Sequence, residues 1–181
     1  MQKALKLFRK SNPPLLEWLQ SPIVYMENYS VGEQICGFAP RAFSPKSCMH
    51  HYLHMAKGNY REYLQGEQVK IKKYFYVLRP VLACKWIETY TTMPPIEFQR
   101  LVDALVPQES ELSQAIDDLL TRKKAGEELD YEPKINVIND YLEKQLVSYD
   151  RVVSGIPAAG KSQDSWLDPL FQSALKEVWL K

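Results

Sequence analysis

The sequence lacks the features that mark secreted and membrane proteins. Its three cysteines, Cys36, Cys48 and Cys84, stand far apart and form no C-x-x-C pair, a usage that favours free, buried thiols over a disulfide framework. No apolar run reaches the roughly 18 residues that a bilayer-spanning helix needs, and no signal-peptide pattern opens the chain. We therefore predict a cytoplasmic protein with no membrane partner.

The chain also lacks an excess of charge of either sign. Its 181 residues carry 23 Lys plus Arg against 22 Asp plus Glu, so net charge indicates neither a nucleic acid nor a membrane surface as a partner. Any basic surface must come from local clustering. The 45% of hydrophobic residues is enough to build one globular core.

Strand-forming segments are scarce as well. IVY at residues 23–25 is the only convincing strand pattern, because it combines two β-branched residues with an aromatic one. We predict a mainly α chain with one short strand near residues 22–27. A lone strand needs partners, which would come from a weak strand elsewhere in the chain or from a sheet N-terminal to Met1.

The rest of the chain is typical of amphipathic helices divided by proline and glycine. Ser44 is a suitable N-cap, with Pro45 in the first turn of the helix that follows it. We predict helices over residues 1–11, 13–20, 44–65, 67–90, 94–105, 109–126, 133–153 and 165–180.

A phosphate-binding pattern occurs near the C-terminus. Residues 155–162 read GIPAAGKS and fit G-x-x-x-x-G-K-[ST] at every fixed position. A phosphate-binding loop should follow a buried strand, but the preceding residues have helical spacing, and the 19 residues after Ser162 read as one helix. We interpret the segment as a linker with a solvated Lys161, and a P-loop nucleotide binder remains a third hypothesis.

Candidate metal ligands and catalytic carboxylates are few. His50 and His54 in HHYLH have the i, i+4 spacing of a zinc pair, but no third ligand is evident. Asp130 and Glu132 lie in a polar segment, GEELDYEP, with no strand around it. We assign no catalytic residue and no metal ligand.

The segment KIKKYFYVLRP, residues 70–80, is the most informative one. On a helix its apolar positions face the core, whereas Lys72, Tyr76 and Arg79 align on the opposite side with Lys73 at the edge. Cations interleaved with a tyrosine can hold phosphates and stack on a base. The alternative is an ordinary solvated helix face. The core positions are Ile71, Tyr74, Phe75, Val77, Leu78, Val81 and Leu82.

Three blocks carry a resemblance to a known family. LFRKSNPPLLEWLQSPIVY (7–25), HHYLHMAKGNYREYL (50–64) and VKIKKYFYVLRPVLACKWIE (69–88) together resemble the predicted nucleotidyltransferases of the DNA polymerase β superfamily, in the family associated with an RNA repair pathway. The similarity covers most of residues 1–105 and continues loosely to the last helix. The resemblance implies Mg²⁺-dependent transfer of a nucleotidyl group from a nucleoside triphosphate to a hydroxyl acceptor on RNA.

The resemblance also implies a domain organisation and a set of site residues. The family has a small α+β catalytic half with Gly-Ser and D-x-D motifs, followed by a helical half. This sequence contains neither motif. We therefore expect residues 1–30 to be a remnant of the α+β half and residues 31–181 to be the helical domain, with the chain itself inactive. The residues expected to face the nucleotide are Lys72, Lys73, Tyr76, Arg79, His51, Lys57 and Tyr60.

One further hypothesis stays open at this point. The chain could be a non-catalytic helical module that binds RNA or a protein. The pattern does not fix the acceptor, the preferred triphosphate or the oligomeric state.

Overall fold

The prediction of a mainly α protein is confirmed. A computed structural model describes residues 2–156 and 164–179, and 71% of the structure is helical. Within the described residues, nine helices and one two-stranded antiparallel ribbon occur in the order α1 (Gln2–Arg9), α2 (Pro13–Trp18), α3 (Val31–Ala42), α4 (Pro45–Tyr63), β1 (Gln68–Lys70), α5 (Lys73–Tyr90), α6 (Phe98–Leu105), α7 (Glu111–Lys124), β2 (Tyr131–Pro133), α8 (Asn136–Gly155) and α9 (Leu167–Trp179).

Three long helices, α4, α5 and α8, form the centre of the fold. Helix α5 is antiparallel to α4, since Lys73 at its start reaches Asn59 and Cys84 near its end donates to the Met49 carbonyl. The predicted core positions of α5 are confirmed as buried, apart from Phe75, which is half-buried. Burial of this apolar surface is the main stabilising contribution to such a bundle.

Helices α1 and α2 pack against this centre. Asn12 caps α2 by accepting the Leu15 amide at 3.1 Å, and Pro13 occupies the first turn. Phe8, Leu15 and Leu16 join the same hydrophobic cluster as α4, α5 and α8. The proposed division of the chain at residue 30 stays a prediction.

The prediction of a strand near residues 22–27 is wrong. These residues form neither helix nor strand, and Ile23 to Met26 are exposed. The ribbon lies elsewhere, where Val69 of β1 pairs with Glu132 of β2. Because Gln68–Lys70 pair with β2, helix α5 begins at Lys73 rather than at residue 67, and the polar segment around Glu132 is a strand after all.

Helix α3 has no counterpart in the sequence-based prediction. It contains Gly32, Gly37 and Pro40, all unfavourable in helix interiors. Tertiary contacts compensate, since Phe38 stacks on Trp166 with ring centroids 5.1 Å apart. Cys36 of α3 is exposed, against our prediction of burial, whereas the other two cysteines are buried and all three are free.

The described residues bear on the expected absence of a membrane span and on the GIPAAGKS segment. Within the described ranges no helix is both long and apolar enough to traverse a bilayer. Of the GIPAAGKS segment, only Gly155 and Ile156 lie within the described residues, at the end of α8. The remainder, residues 157–162, lies outside them.

Candidate functional site

The N-terminal end of α5 is positioned by the ribbon. The amide of Ile71 donates to the Asp130 carbonyl at 2.9 Å, and the amide of Lys72 donates to the Leu129 carbonyl at 3.3 Å. Both bonds join the start of α5 to the two residues that precede β2. The two lysines that open the helix are therefore held at a fixed place on the surface.

Lys73 lies between two tyrosine rings. Its Nζ is 4.0 Å from the centroid of the Tyr63 ring and 4.8 Å from that of Tyr76, distances at which the ring faces attract a cation. The same Nζ donates to Asn59 Oδ1 at 3.4 Å. All three partners are neutral, so they orient the ammonium group without cancelling its charge.

The helix dipole adds to this positive charge. The first turn of α5 contains no acidic residue, and a helix N-terminus carries a partial positive charge. The positive charges of Lys72 and Lys73 repel this partial charge, and that repulsion does not favour helix stability. Sequence choices that oppose local stability occur at functional sites, and an anion bound here would be attracted by both sources of charge.

Arg79, farther along α5, is paired. Its Nη1 donates to Glu17 Oε1 at 2.9 Å, and the two side chains are 26% and 22% exposed. The hydroxyl of buried Tyr52 donates to the same oxygen at 2.6 Å. Burial raises the pKa of the Tyr52 hydroxyl well above its usual range, and the Glu17 charge raises it further, so this hydroxyl stays a proton donor. The three residues tie α2, α4 and α5 together.

His51 lies beside this cluster. Its ring is 5.8 Å from the Tyr52 ring, edge to face. Partial burial lowers the pKa of His51, the nearby Glu17 carboxylate opposes that shift, and His54 adds to it. The imidazole is therefore neutral near pH 7 and can donate or accept one hydrogen bond.

Five of the seven predicted site residues belong to this region. We call it the cationic face, and it consists of the predicted residues Lys72, Lys73, Tyr76, Arg79 and His51 together with Glu17, Asn59 and Tyr63. Tyr76 is 54% exposed, so the flat side of a base can reach its ring.

The other two predicted residues point away from the cationic face and toward α8. Lys57 forms an ion pair with Asp150. Tyr60 is buried, and its hydroxyl donates to Glu143 Oε1 at 2.6 Å. Burial is the larger cause of the raised pKa of Tyr60, and that hydrogen bond raises the pKa further. Both side chains join α4 to α8 in this structure.

Sequence reasoning missed three residues of the cationic face. Asn59 and Tyr63 are four residues apart on α4, and their i, i+4 spacing places them on one side of that helix. That signal could have been read from the sequence. Glu17 could not have been found, because it reaches Arg79 across 62 residues of chain.

The described residues offer no cluster of metal-ligand side chains. No three His, Cys, Asp or Glu side chains of the described residues come together in a way that could hold a metal ion. Glu132, one of the acidic candidates, accepts two hydrogen bonds from Arg122. The described residues therefore do not fit a Mg²⁺ site.

The family to which the chain belongs is shown by a comparison of its sequence with a family model. A model of the RNA repair pathway DNA polymerase beta family matches residues 1–173. This protein is therefore a member of the RNA repair pathway DNA polymerase beta family.

A bacterial protein is similar to the chain over almost the whole length of the chain. The chain is 46% identical over 179 residues to a protein of Bacillus subtilis (strain 168) described as uncharacterized protein YcgL. The alignment covers 99% of this chain and 68% of that relative. No solved structure matches the chain.

Proposed function

We propose that this chain is the helical portion of a polymerase β-type nucleotidyltransferase, and that its cationic face holds the triphosphate of a nucleoside triphosphate. The observation that carries the proposal is the alignment of Lys72, the N-cap of α5, with Tyr76 and Arg79 on one side of the helix. Lys73 lies at the edge of that side, with its Nζ 4.8 Å from the centroid of the Tyr76 ring. Membership of the family supports the proposed class of reaction, and we propose that a nucleotidyl group is transferred to a hydroxyl of RNA.

The charges of this face favour an anionic ligand over an ordinary solvated surface. Lys72 is exposed and forms no ion pair with any described residue. Lys73 keeps its charge, since its partners are neutral rings and an amide. Arg79 alone of the three has an acidic partner. Lys73 is oriented by neutral partners and can bind a phosphate with little reorganisation, whereas at Arg79 a phosphate would have to compete with Glu17.

We propose further that the chain by itself does not catalyse transfer. The 181 residues contain no Gly-Ser and no D-x-D, and two or three carboxylates are needed to hold the Mg²⁺ ions of such a reaction. In this proposal the face positions phosphates and orients the base, while the family's carboxylates and Mg²⁺ come from a catalytic half that these residues do not form.

The binding test uses the whole chain and each of the four ribonucleoside triphosphates. We expect calorimetry to detect binding of at least one, with Lys73→Met lowering the affinity roughly tenfold, as the loss of one charged hydrogen bond implies. Lys124→Met, which removes an exposed lysine of α7, is the matched control and should leave affinity unchanged. Equal loss in both variants, or no binding of any triphosphate, would overturn the proposal.

The transfer test separates binding from catalysis. The chain, Mg²⁺, a labelled triphosphate and a short RNA with a free 3′ hydroxyl should give no labelled RNA. A measurable rate would contradict the inactivity of the chain while leaving the binding proposal standing.

A further inference from the structure

The ribbon of β1 and β2 presents one side to solvent. Val69, at the centre of β1, is fully buried, and successive residues of a strand point to opposite sides. Residues directly opposite each other on paired strands share a side. The side opposite to that of Val69, which we call the ribbon face, consists of Gln68, Lys70, Tyr131 and Pro133.

A lysine and a tyrosine lie together on the ribbon face. Lys70 Nζ is 5.6 Å from the centroid of the Tyr131 ring, a distance at which the ring attracts a cation. Tyr131 is 59% exposed. Lys70 forms no ion pair with any described residue. The ring and the charge are therefore both open to a ligand.

Two carboxylates of the same region are neutralised by other partners. Glu132, opposite Val69 in the ribbon, points away from the ribbon face and accepts two hydrogen bonds from Arg122 on α7. Glu67, directly before β1, forms an ion pair with Lys134 at 2.7 Å. These two acids therefore do not cancel the charge of the lysine on the ribbon face.

The ribbon face continues into the cationic face. Strand β1 ends at Lys70, and α5 begins three residues later at Lys73, whose Nζ lies over the Tyr63 ring. A hydrogen bond to Glu62 is the first cause of the raised pKa of Tyr63, and the charge of Tyr131 is a smaller cause. Tyr63 and Tyr131 are thus close enough to interact. Two lysine–tyrosine pairs lie on one continuous surface.

A repeat of lysine and tyrosine fits a single strand of nucleic acid. Each nucleotide of a single strand offers an unstacked base and a phosphate, which an aromatic ring and a lysine can bind together. The bases of a duplex are stacked on one another and do not reach such rings. An acidic peptide would use the lysines but not the ring faces. The surface therefore fits a single strand better than either alternative.

We propose that a single strand of nucleic acid binds across the ribbon face, with one base on Tyr131, the next base on Tyr63, and the phosphate between them held by Lys70 and Lys73. The identity of this strand rests on the proposed function, under which it is the acceptor RNA. Its 3′ end then lies at Tyr63, because the triphosphate lies beside Lys73.

Fluorescence anisotropy with a labelled single-stranded RNA of about eight nucleotides tests the stacking. Tyr131→Leu should weaken binding roughly tenfold, whereas Tyr131→Phe keeps the ring and should bind like the wild type. Tyr90→Leu, at another exposed tyrosine, is the matched control and should leave affinity unchanged. No binding of the strand, or an equal loss in the Tyr131→Leu and Tyr90→Leu variants, would overturn the proposal.

The salt dependence of the same binding tests the phosphate contact. Each phosphate contact on a single strand contributes about 0.7 to the slope of log affinity against log salt concentration. Lys70→Met should therefore lower the slope by about 0.7, and Lys124→Met, at an exposed lysine of α7, should not change it. Tyr131→Leu should lower affinity at every salt concentration with the slope unchanged. An unchanged slope in Lys70→Met would overturn the proposal.

Three competing ligands test the kind of partner. A duplex of the same sequence and a polyglutamate peptide should each bind more weakly than the single-stranded RNA, and equal binding of either would overturn the proposal. A DNA strand of the same sequence is the third ligand. Weaker binding of DNA than of RNA supports the assignment as acceptor, and equal or tighter binding of DNA overturns that assignment.

Titration with a nucleoside triphosphate separates this proposal from the proposed function. Tyr131→Leu and Lys70→Met should leave triphosphate affinity unchanged, because neither residue belongs to the cationic face. A loss of triphosphate affinity in Tyr131→Leu would overturn the present proposal, since the ring would then belong to the triphosphate site. Binding of the RNA strand without binding of any triphosphate would overturn the proposed function and support the strand-binding surface.

Discussion

Arg79 and Glu17 form an ion pair at the edge of the cationic face, with Arg79 Nη1 2.9 Å from Glu17 Oε1. The hydroxyl of Tyr52, on α4, donates to the same carboxylate oxygen. Glu17 thus orients the guanidinium and also offsets its charge. An incoming phosphate would compete with Glu17 for Arg79, because both are anions that prefer the same planar group.

The first prediction concerns that competition. Glu17→Gln keeps an oxygen that can accept the Tyr52 hydroxyl but removes the negative charge. We expect affinity for a nucleoside triphosphate to rise roughly tenfold, the size of a nearby charge effect in a partly solvated site. Calorimetric titration of the variant measures it.

The control for this prediction is another carboxylate paired with an arginine. Glu97 lies 3.6 Å from Arg100 on the surface, and Glu97→Gln should leave affinity unchanged. A rise in both variants would point to net charge alone, and a fall in Glu17→Gln would mean that the carboxylate is needed to position Arg79.

The second prediction separates ring stacking from charge at Tyr76. Tyr76→Leu should weaken triphosphate binding roughly tenfold, because base stacking on an aromatic ring contributes about 1–3 kcal/mol. Tyr76→Phe keeps the ring and should bind like the wild type. Tyr90→Leu, which removes another exposed tyrosine of α5, is the control. If the leucine and phenylalanine variants bind alike, stacking has no part in binding.

The third prediction concerns a buried polar link in the core. Tyr74 donates to Asn139 Oδ1 at 2.5 Å, and Asn139 Nδ2 donates to the Leu64 carbonyl at 2.8 Å. Asn139→Ala removes the acceptor of the Tyr74 hydroxyl and the side-chain donor to the Leu64 carbonyl, and it should lower the free energy of unfolding by about 2–4 kcal/mol in denaturant titrations. Asn136→Ala, at an exposed position on the same helix, should cost less than about 1 kcal/mol. Equal costs would refute the role of the link.

The fourth prediction concerns the acid side of the stability profile. Because burial lowers the pKa of His51 in the folded protein, the unfolded state binds more protons between that lowered pKa and the usual value near 6.5. Stability should therefore fall as pH decreases through that window. His51→Gln should weaken the fall, and His50→Gln at an exposed position should not. If His51→Gln leaves the pH dependence of the free energy of unfolding unchanged, the lowered pKa of His51 is not the cause of the fall.

Features that depend on local pattern could be predicted from the sequence. The spacing of apolar residues placed α5 with its buried and exposed sides, and Ser44 with Pro45 placed the start of α4. The choice of Lys72, Tyr76 and Arg79 followed from the same periodicity. These features follow from a few neighbouring residues, so one sequence is enough to find them.

Features that depend on distant partners could not be predicted. The run Ile23 to Tyr25 has the composition of a strand but finds no partner strand in the described residues. The short strands β1 and β2 do pair, because β1 follows α4 and β2 lies between α7 and α8, and these helices bring the two strands together. Helix α3 forms against its own propensity, with Phe38 stacked on Trp166. Tertiary contacts override local preference at each of these places.

The most direct test of the cationic face is a titration of the isotopically labelled chain with a nucleoside triphosphate, followed by amide chemical shifts. We predict that the largest changes fall on residues 72–79 of α5 and on His51, Asn59 and Tyr63 of α4. Changes centred on residues 155–162 would place the triphosphate at GIPAAGKS instead and would contradict the account, as would a titration that shifts no amide.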